Sequence, residues 1–354
     1  MKLGLKRVKE AMFFEQLKDG VVRCKLCPWN CVLRPGQRGF CGVRENRGGK
    51  LYTLNYGFIT ALNVDPIEKK PLFHYYPGSP IVSISTVGCN LKCPWCQNYT
   101  ISQRTPEEVF GDYMSPEEIV SYMESTKVPF LAFTYNEPII WYEYVLDVAK
   151  ATKKMGYKNV LVTNGHINLE PLEELIPYID AANVDIKSFN KSTYLKIMRG
   201  RLKPILEATK YMHEKGVHVE TTYLVVPGVN DELEEFKQLV KWQIEELSPE
   251  VPLHISRFLP MYKYINREAT QVSTIEKMWK TAKEIGLNYV YIGNVPGHRG
   301  ENTYCPQCGK LLIKRLGFWI TEWNITRDNR CKYCGAKIPI VGERWRETKF
   351  GYFI

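Results

Sequence analysis

Cys89-Asn90-Leu91-Lys92-Cys93-Pro94-Trp95-Cys96 carries three cysteines in a C-x3-C-x2-C spacing, with an aromatic residue directly before the last. Three thiolates can hold three irons of a [4Fe–4S] cluster, where a closed cluster uses four. The fourth iron is then open to an outside ligand. A structural zinc site wants four protein ligands, so the alternative is a zinc ion that borrows a distant fourth. The run 81–86 is apolar and β-rich and leads to Gly88, which places the cysteines at the end of a strand.

The other cysteines support metal over disulfides. The chain has 11 cysteines in three groups with none left over. The first is Cys24, Cys27, Cys31 and Cys41; the second is the trio; the third is Cys305, Cys308, Cys331 and Cys334. Each group of four can close a metal site, and the trio leaves one position open. An odd number cannot pair fully, and disulfide frameworks belong to shorter secreted chains than this one of 354 residues. A reducing compartment follows, and the cytoplasm is the expected one.

Composition sets outer bounds. Hydrophobic content of 44% and charged content of 24% are those of an ordinary globular protein. No apolar run approaches a membrane span, and residues 1–17 lack the apolar core of an export signal. The formal net charge of +10 fits a solvated basic surface, or docking of an acidic electron donor or substrate. No block of basic residues stands out, so nucleic acid is not an expected partner.

The chain divides into three parts. Residues 1–80 are short apolar pieces broken by Gly and Pro around the first four cysteines. Residues 81–298 alternate strand and helix, with strands expected at 81–86, 130–134, 159–163, 182–186, 217–226, 254–258 and 289–292. Ser115-Pro116-Glu117-Glu118 reads as a capping box with Pro at the first helical position. A helix over 192–215 is expected to break near Gly200. Repeated βα units with short connections call for parallel strands and right-handed crossovers. The strand number falls below the eight of a closed barrel, so the expected fold is α/β, a partial (βα)6-like barrel. Residues 299–354 break the pattern with four cysteines and the aromatics Trp319, Trp323, Trp345, Phe350 and Tyr352. The barrel is thus flanked by two small four-cysteine modules.

In parallel barrels the chemistry sits at the C-terminal ends of the strands. Those ends read Thr86-Val87-Gly88-Cys89, Tyr135-Asn136-Glu137, Thr163-Asn164-Gly165, Asp185-Ile186-Lys187, Val226-Pro227-Gly228, His254 with Arg257, and Asn294. Polar strand ends are ordinary in any α/β protein, which accounts for Thr163, Asn164 and Gly165. It accounts less well for Asp185 and Lys187, two charges on one strand face beside Val184 and Ile186.

These motifs together resemble the glycyl-radical-enzyme activase group of the radical S-adenosylmethionine (SAM) superfamily, and more closely the radical SAM member of the AmmeMemoRadiSam system. The likeness runs from Cys24-x2-Cys27-Pro28-x2-Cys31 and Pro35-Gly36-x2-Gly39-x-Cys41 through Asp65-Pro66-Ile67-Glu68-Lys69-Lys70-Pro71 to the trio and Cys96-Gln97-Asn98. It continues through Tyr135-Asn136-Glu137-Pro138, the strand ends quoted above, Pro227-Gly228-x-Asn230-Asp231 and Gly293-Asn294-Val295-Pro296-Gly297.

The resemblance implies that Cys89, Cys93 and Cys96 hold the cluster and that SAM chelates its open iron. It implies that Trp95 lies near the adenine. Asn136 and Glu137 stand where related activases have Gly-Gly-Glu, whose acidic residue lies near the SAM amino group; Tyr135-Asn136 replaces the two glycines. Thr163 and Asn164 fall on the strand that approaches the ribose and methionine end. Asp185 and Lys187 match an Asp-x-Lys beside the SAM carboxylate. Val162 stands where those activases carry an acidic residue, and Thr222 where they carry Arg. The physical logic agrees: Glu137 can receive an ammonium and Lys187 can balance a carboxylate. Glu137 and Asp185 are therefore expected to serve SAM and not the fold.

Cys305-Pro306-Gln307-Cys308-Gly309 and Cys331-Lys332-Tyr333-Cys334-Gly335 form two knuckles, each closed by a Gly that permits a tight turn. Zinc is favoured there over a rubredoxin-like iron. The spacing of Cys24, Cys27, Cys31 and Cys41 leaves zinc and an auxiliary [4Fe–4S] cluster both open. The expected activity is reductive cleavage of SAM to a 5′-deoxyadenosyl radical that takes hydrogen from a macromolecule, a protein above all. The expected electron source is a low-potential donor such as ferredoxin or flavodoxin. A small-molecule substrate is the rival within enzymes; a zinc-ribbon nucleic-acid-binding protein is the rival from another class.

Overall fold

A computed structural model describes residues 7–345 of the chain. Phe350 and Tyr352 lie outside the described residues. The frame is one eight-stranded sheet whose spatial order follows the sequence. Its strands are β1 (Ala61–Pro66), β2 (Pro80–Ser85), β3 (Phe130–Phe133), β4 (Lys158–Thr163), β5 (Ala181–Asp185), β6 (His218–Val225), β7 (Leu253–Arg257) and β8 (Val290–Gly293). Strands β2 to β8 pair in parallel, and β1 pairs antiparallel with β2. Among the described residues β1 and β8 do not pair with each other, so the sheet stays open.

Six helices fill the crossovers: α1 (Pro116–Thr126), α2 (Tyr142–Lys154), α3 (Leu169–Leu175), α4 (Leu202–Glu214), α5 (Leu233–Glu246) and α6 (Val272–Ile285). Six βα units followed by a seventh parallel strand is the expected partial (βα)6-like barrel. The parallel strands are largely buried because both their faces are covered; all four residues of β3 are buried. The capping box forms as read: Ser115 N–H donates to Glu118 Oε2 at 2.6 Å, and Glu118 N–H donates to Ser115 Oγ at 3.3 Å. No helix among the described residues is long and apolar enough to cross a membrane.

The eighth strand, β1, was not foreseen. Its sequence Ala-Leu-Asn-Val-Asp-Pro is an edge strand with Asn63 and Val64 exposed and Pro66 at its end. Edge strands need neither apolar continuity nor every N–H, so the pattern hides them. The break near Gly200 is real and has a cause. The chain runs Lys191–Thr193, then a wide turn Tyr194–Met198, then Arg199 in the left-handed region. A Cβ on Gly200 would stand 2.3 Å from Leu91 Cδ2. The break therefore lets the cysteine loop approach.

Two small antiparallel sheets precede the large one: Lys9–Glu10, Lys50–Thr53 and Arg44–Arg47 form the first, and Phe14–Gln16, Val22–Cys24 and Val32–Leu33 the second. They dock on α2 through a buried ion pair between Arg44 and Glu143, whose carboxylate also accepts from Met12 N–H at 2.7 Å. Thr303–Tyr304, Leu311–Leu316 and Trp319–Trp323 form the C-terminal sheet. It joins the large sheet where the parallel strands begin. There Glu220 accepts from Phe73 N–H at 3.0 Å and His74 N–H at 2.7 Å, and pairs with His218 and His254 at 3.0 and 2.6 Å. Arg315 reaches Phe73 O at 3.0 Å, and His74 Nε2 contacts Tyr291 OH at 2.6 Å.

Burial pushes the Glu220 carboxyl up, but the hydrogen bonds from His218 and His254 outweigh it and hold its pKa below the ordinary range. Glu220→Gln should cost about 3 kcal/mol in urea unfolding near neutral pH. Because the folded pKa lies below the unfolded one, this contribution is complete above about 4.5 and is lost as pH falls further. The stability gap between wild type and variant should therefore narrow in acid.

Candidate active site at the strand C-termini

The loop that follows β2 is held from several sides. Asn136, just past β3, accepts from Thr86 N–H at 3.2 Å and donates to Gly88 O at 2.9 Å. Asn90 donates to His166 O at 2.7 Å, beyond β4. Lys92 N–H donates to Met198 O at 2.7 Å, and Lys263 N–H to Pro94 O at 2.9 Å. The cysteine sulfurs meet donors: Leu91 N–H lies 3.4 Å and Asn164 Nδ2 3.8 Å from Cys89 Sγ, and Ser102 Oγ lies 3.0 Å from Cys96 Sγ. Burial pushes the Cys93 thiol up to about 12 although Lys187 pulls the other way, and burial raises Cys89 as well. Thiols so placed become thiolates when a cationic core binds them.

Glu137 is buried at 3% exposure and both its carboxylate oxygens accept hydrogen bonds from the chain. It accepts from Ile139 N–H at 3.0 Å, Thr163 Oγ1 at 2.6 Å and Asn164 N–H at 2.7 Å. Burial pushes its pKa up to about 7 against those three hydrogen bonds. Glu137 thus holds the ends of β3 and β4 together, which corrects the expectation that it has no part in the fold. Thr163 and Asn164 are buried beside it, and Asn164 Nδ2 also donates to Asn90 Oδ1 at 3.0 Å.

Asp185 ends β5, and Lys187 two residues on forms an ion pair with its Oδ2. Burial works against the Lys187 charge, but Asp185 and Cys93 outweigh it and raise its pKa. Lys187 therefore keeps its proton next to the cysteine loop. The other oxygen, Asp185 Oδ1, is buried without a hydrogen-bond partner, and so is Thr86 Oγ1 at the end of β2. Unpaired buried polar atoms are rare and mark strain or a missing ligand. Three loop cysteines, one orphaned carboxylate oxygen and one half-buried lysine suit a thiolate-bound cluster with an amino-acid ligand. Trp95 is buried and packs on Tyr264, with ring centroids 5.7 Å apart.

Other strand-end residues fall elsewhere. His254 is the second residue of β7, so it belongs to the Glu220 network at the opposite end. Arg257 does end β7, but its Nε donates to Thr270 O at 2.7 Å. Asn294, in the left-handed region, donates to Arg257 O at 3.0 Å. Residues that reading missed include Asn98, whose Nδ2 donates to Tyr135 O at 2.6 Å, and Tyr194, whose hydroxyl accepts from Lys187 N–H at 2.8 Å. The loop after β7 was missed too: Tyr262 stacks on Tyr99 at 4.6 Å, over the trio's helix Tyr99–Ser102. A signal existed only for Asn98, inside the Cys96-Gln97-Asn98 run.

All eleven cysteines are free of disulfides. In the C-terminal quartet Cys305 and Cys334 sulfurs lie 3.6 Å apart, and Cys308 and Cys331 sulfurs 3.7 Å apart. All four ligand atoms stand within 4.8 Å of one another. Four thiolates about 2.3 Å from one tetrahedral ion would be separated by about 3.8 Å, so the quartet is shaped for a single metal ion.

The family model of the radical SAM superfamily matches residues 83–241, the span from β2 into α5. The chain is 46% identical over 335 residues to the uncharacterized protein MJ0808 of Methanocaldococcus jannaschii, covering 94% of this chain and 100% of that one. The chain belongs to the radical SAM superfamily. It is 30% identical over 150 residues to the pyruvate formate-lyase 1-activating enzyme of Escherichia coli, covering 41% of this chain and 61% of that one. Among solved structures, a radical SAM methyltransferase from Sphaerobacter thermophilus aligns with a TM-score of 0.48 at 11% identity, covering 83% of this chain and 81% of that one. The chain is a radical SAM enzyme of the pyruvate formate-lyase-activase-like group, and that family implies a [4Fe–4S] cluster and SAM.

The Glu137 geometry generates a test. Glu137→Gln turns one acceptor oxygen into a donor facing N–H or O–H groups. It should cost about 1–3 kcal/mol of stability, read as a lower melting temperature of the cluster-free protein.

Proposed function

We propose that Cys89, Cys93 and Cys96 ligate a [4Fe–4S] cluster, and that Asp185, Lys187, Glu137, Thr163 and Asn164 surround the methionine end of SAM. The observation that carries this reading is the convergence of the trio, the orphaned Asp185 Oδ1 and half-buried Lys187 at one end of the sheet. When bound and reduced, the cluster supplies the electron that splits SAM into methionine and a 5′-deoxyadenosyl radical. The chain's own residues bind and orient. Lys187 neutralises a carboxylate, and Asp185 Oδ1 accepts a donor that the fold does not provide. Asn136 fixes where the loop leaves β2, and Asn164 orients Cys89 and Asn90. Trp95 and Tyr264 form an apolar wall that keeps water from the loop.

The substrate we propose is a protein, reached with an electron from a low-potential carrier. Relatives named for the lyase that they activate favour it. So does the loop after β7, which covers the cysteine loop and leaves Leu259 and Ile265 exposed at 43% and 59%. Apolar side chains exposed beside a buried reactive centre suit a docking protein. We assign the C-terminal quartet to zinc, on the single-ion geometry of its sulfurs.

Three outcomes are expected. With dithionite and SAM, the parent should form 5′-deoxyadenosine, and the Cys89→Ala, Cys93→Ala, Cys96→Ala triple variant should form none; equal rates would refute the ligand assignment. Lys187→Ala should weaken SAM binding at least about tenfold by calorimetry, the effect of one lost charge-assisted hydrogen bond. Leu259→Asp with Ile265→Asp should suppress deuterium transfer from a labelled protein substrate into 5′-deoxyadenosine. Uncoupled SAM cleavage should be unaffected; unimpaired transfer would place docking elsewhere.

A further inference from the structure

The N-terminal quartet is built differently from the C-terminal one. Among the described residues, only the C-terminal quartet brings three or more ligand atoms all within 4.8 Å of one another. The sulfurs of Cys24, Cys27, Cys31 and Cys41 are therefore not drawn together around a point. They line one mostly enclosed cavity. Phe40 and Ile140 close it with apolar surface. A single zinc ion pulls its thiolates into mutual contact. A cubane places two metal atoms and sulfide between any two thiolates and so keeps them apart. The trio, which we assign to a [4Fe–4S] cluster, is likewise not drawn together within that distance.

The surroundings suit a polynuclear anionic centre. Phe40 N–H lies 3.5 Å from Cys31 Sγ, and Arg44 Nη1 lies 3.7 Å from Cys24 Sγ. Arg44 is 1% exposed and its charge is shared between that sulfur and Glu143. Hydrogen bonds to sulfur and low solvent exposure are the levers by which a protein sets a cluster's potential. The Cys-x2-Cys pair of this quartet is not closed by Gly, since Pro28 follows Cys27, and Gly42 follows only the separate Cys41.

The quartet also touches the active-site loop. Gly88, the residue before Cys89, has φ +94°, and a Cβ there would lie 2.8 Å from Cys41 O. Trp29 Nε1 donates to Asn90 O at 2.9 Å and stacks its ring on Phe40 at 4.5 Å. A ligand of the quartet and a ligand of the trio are thus separated by one backbone contact.

We propose that Cys24, Cys27, Cys31 and Cys41 hold a second [4Fe–4S] cluster beside the first. The site goes beyond the SAM-cleaving centre and does not depend on it. The test uses the full chain, produced anaerobically and reconstituted with ferrous iron and sulfide. The parent should carry about eight irons per chain, all in cubane form by Mössbauer spectroscopy, with zinc confined to about one ion. The Cys89→Ala, Cys93→Ala, Cys96→Ala variant should keep about four irons and a reduced-cluster electron paramagnetic resonance signal. Adding Cys27→Ala and Cys31→Ala should remove both. In the reduced parent the two signals should broaden one another through spin coupling.

A parent with about four irons and two zinc ions, or a trio variant with zinc and no iron, would overturn the proposal. The iron count of the parent decides the matter even if the trio variant fails to fold. A sharp, additive parent spectrum would overturn the placement of the two clusters side by side. Failure of the SAM-cleavage reading looks different: the parent would lack 5′-deoxyadenosine while the trio variant still held its iron.

Discussion

Asn136 and Glu137 are adjacent in sequence and tie three strand ends together. Asn136 fastens the exit of β2 through Thr86 and Gly88, and Glu137 fastens β4 through Thr163 and Asn164. Hydrogen bonds to a buried carboxylate are each worth about 1.5–3 kcal/mol, so this junction is among the stiffest points of an open sheet. The backbone reaches it strained: Tyr135 sits at φ +68°, a left-handed conformation that a bulky residue adopts only when held there. It is held by Asn98 on its carbonyl and by Asp65 on its hydroxyl. The cysteine loop inherits its position from these contacts, because Gly88, Asn90 and Asn98 all lie within or beside it.

How far this could be read from sequence depends on whether a feature is local. The seven parallel strands were legible because each is a short β-rich stretch between turn residues, even where Glu220 and His254 interrupt the apolar pattern. The helix over Pro116–Thr126 was legible because its start is written within four residues. The charges of Asp185 and Lys187 could be placed on one face, since a spacing of two is the strand period. Their ion pair and the orphaned Asp185 Oδ1 could not, because they depend on Tyr194 and on what the site binds. Glu137 was recognised as a binding residue by its motif, while its bridge to β4 comes from residues about twenty-six positions away. His254 looked like a strand-end residue only because the start of β7 is set by Leu253. The Glu220 network draws on several distant segments, and no window of sequence contains it.

The two quartets illustrate the same limit from the metal's side. Knuckle spacing with a following Gly describes a turn around one ion, and sulfurs 3.6 and 3.7 Å apart agree with it. The N-terminal spacing describes no single turn, since Cys41 comes from a different segment than Cys24, Cys27 and Cys31. There the space between the sulfurs, and not their order along the chain, carries the information.

The quartets also sit at opposite ends of the sheet, and this fixes the direction of approach. The C-terminal sheet packs where the parallel strands begin, through Tyr291, His74 and Arg315. Trp345 reaches Phe130 at the start of β3. That end is closed by protein. The N-terminal quartet contacts the other end through Cys41, Trp29 and Lys25, the last by Asn168 Nδ2 at 2.6 Å. A substrate therefore meets the cysteine loop only from the C-terminal face of the strands. One border of that face is the N-terminal module, rigidly fastened to α2 by Arg44 and Glu143. The other is the loop after β7, fastened by Lys263 N–H to Pro94 O, by Arg267 Nη1 to Pro227 O and Thr270 Oγ1 to Val225 O, both at 2.6 Å, and by ring contacts of Tyr262 and Tyr264.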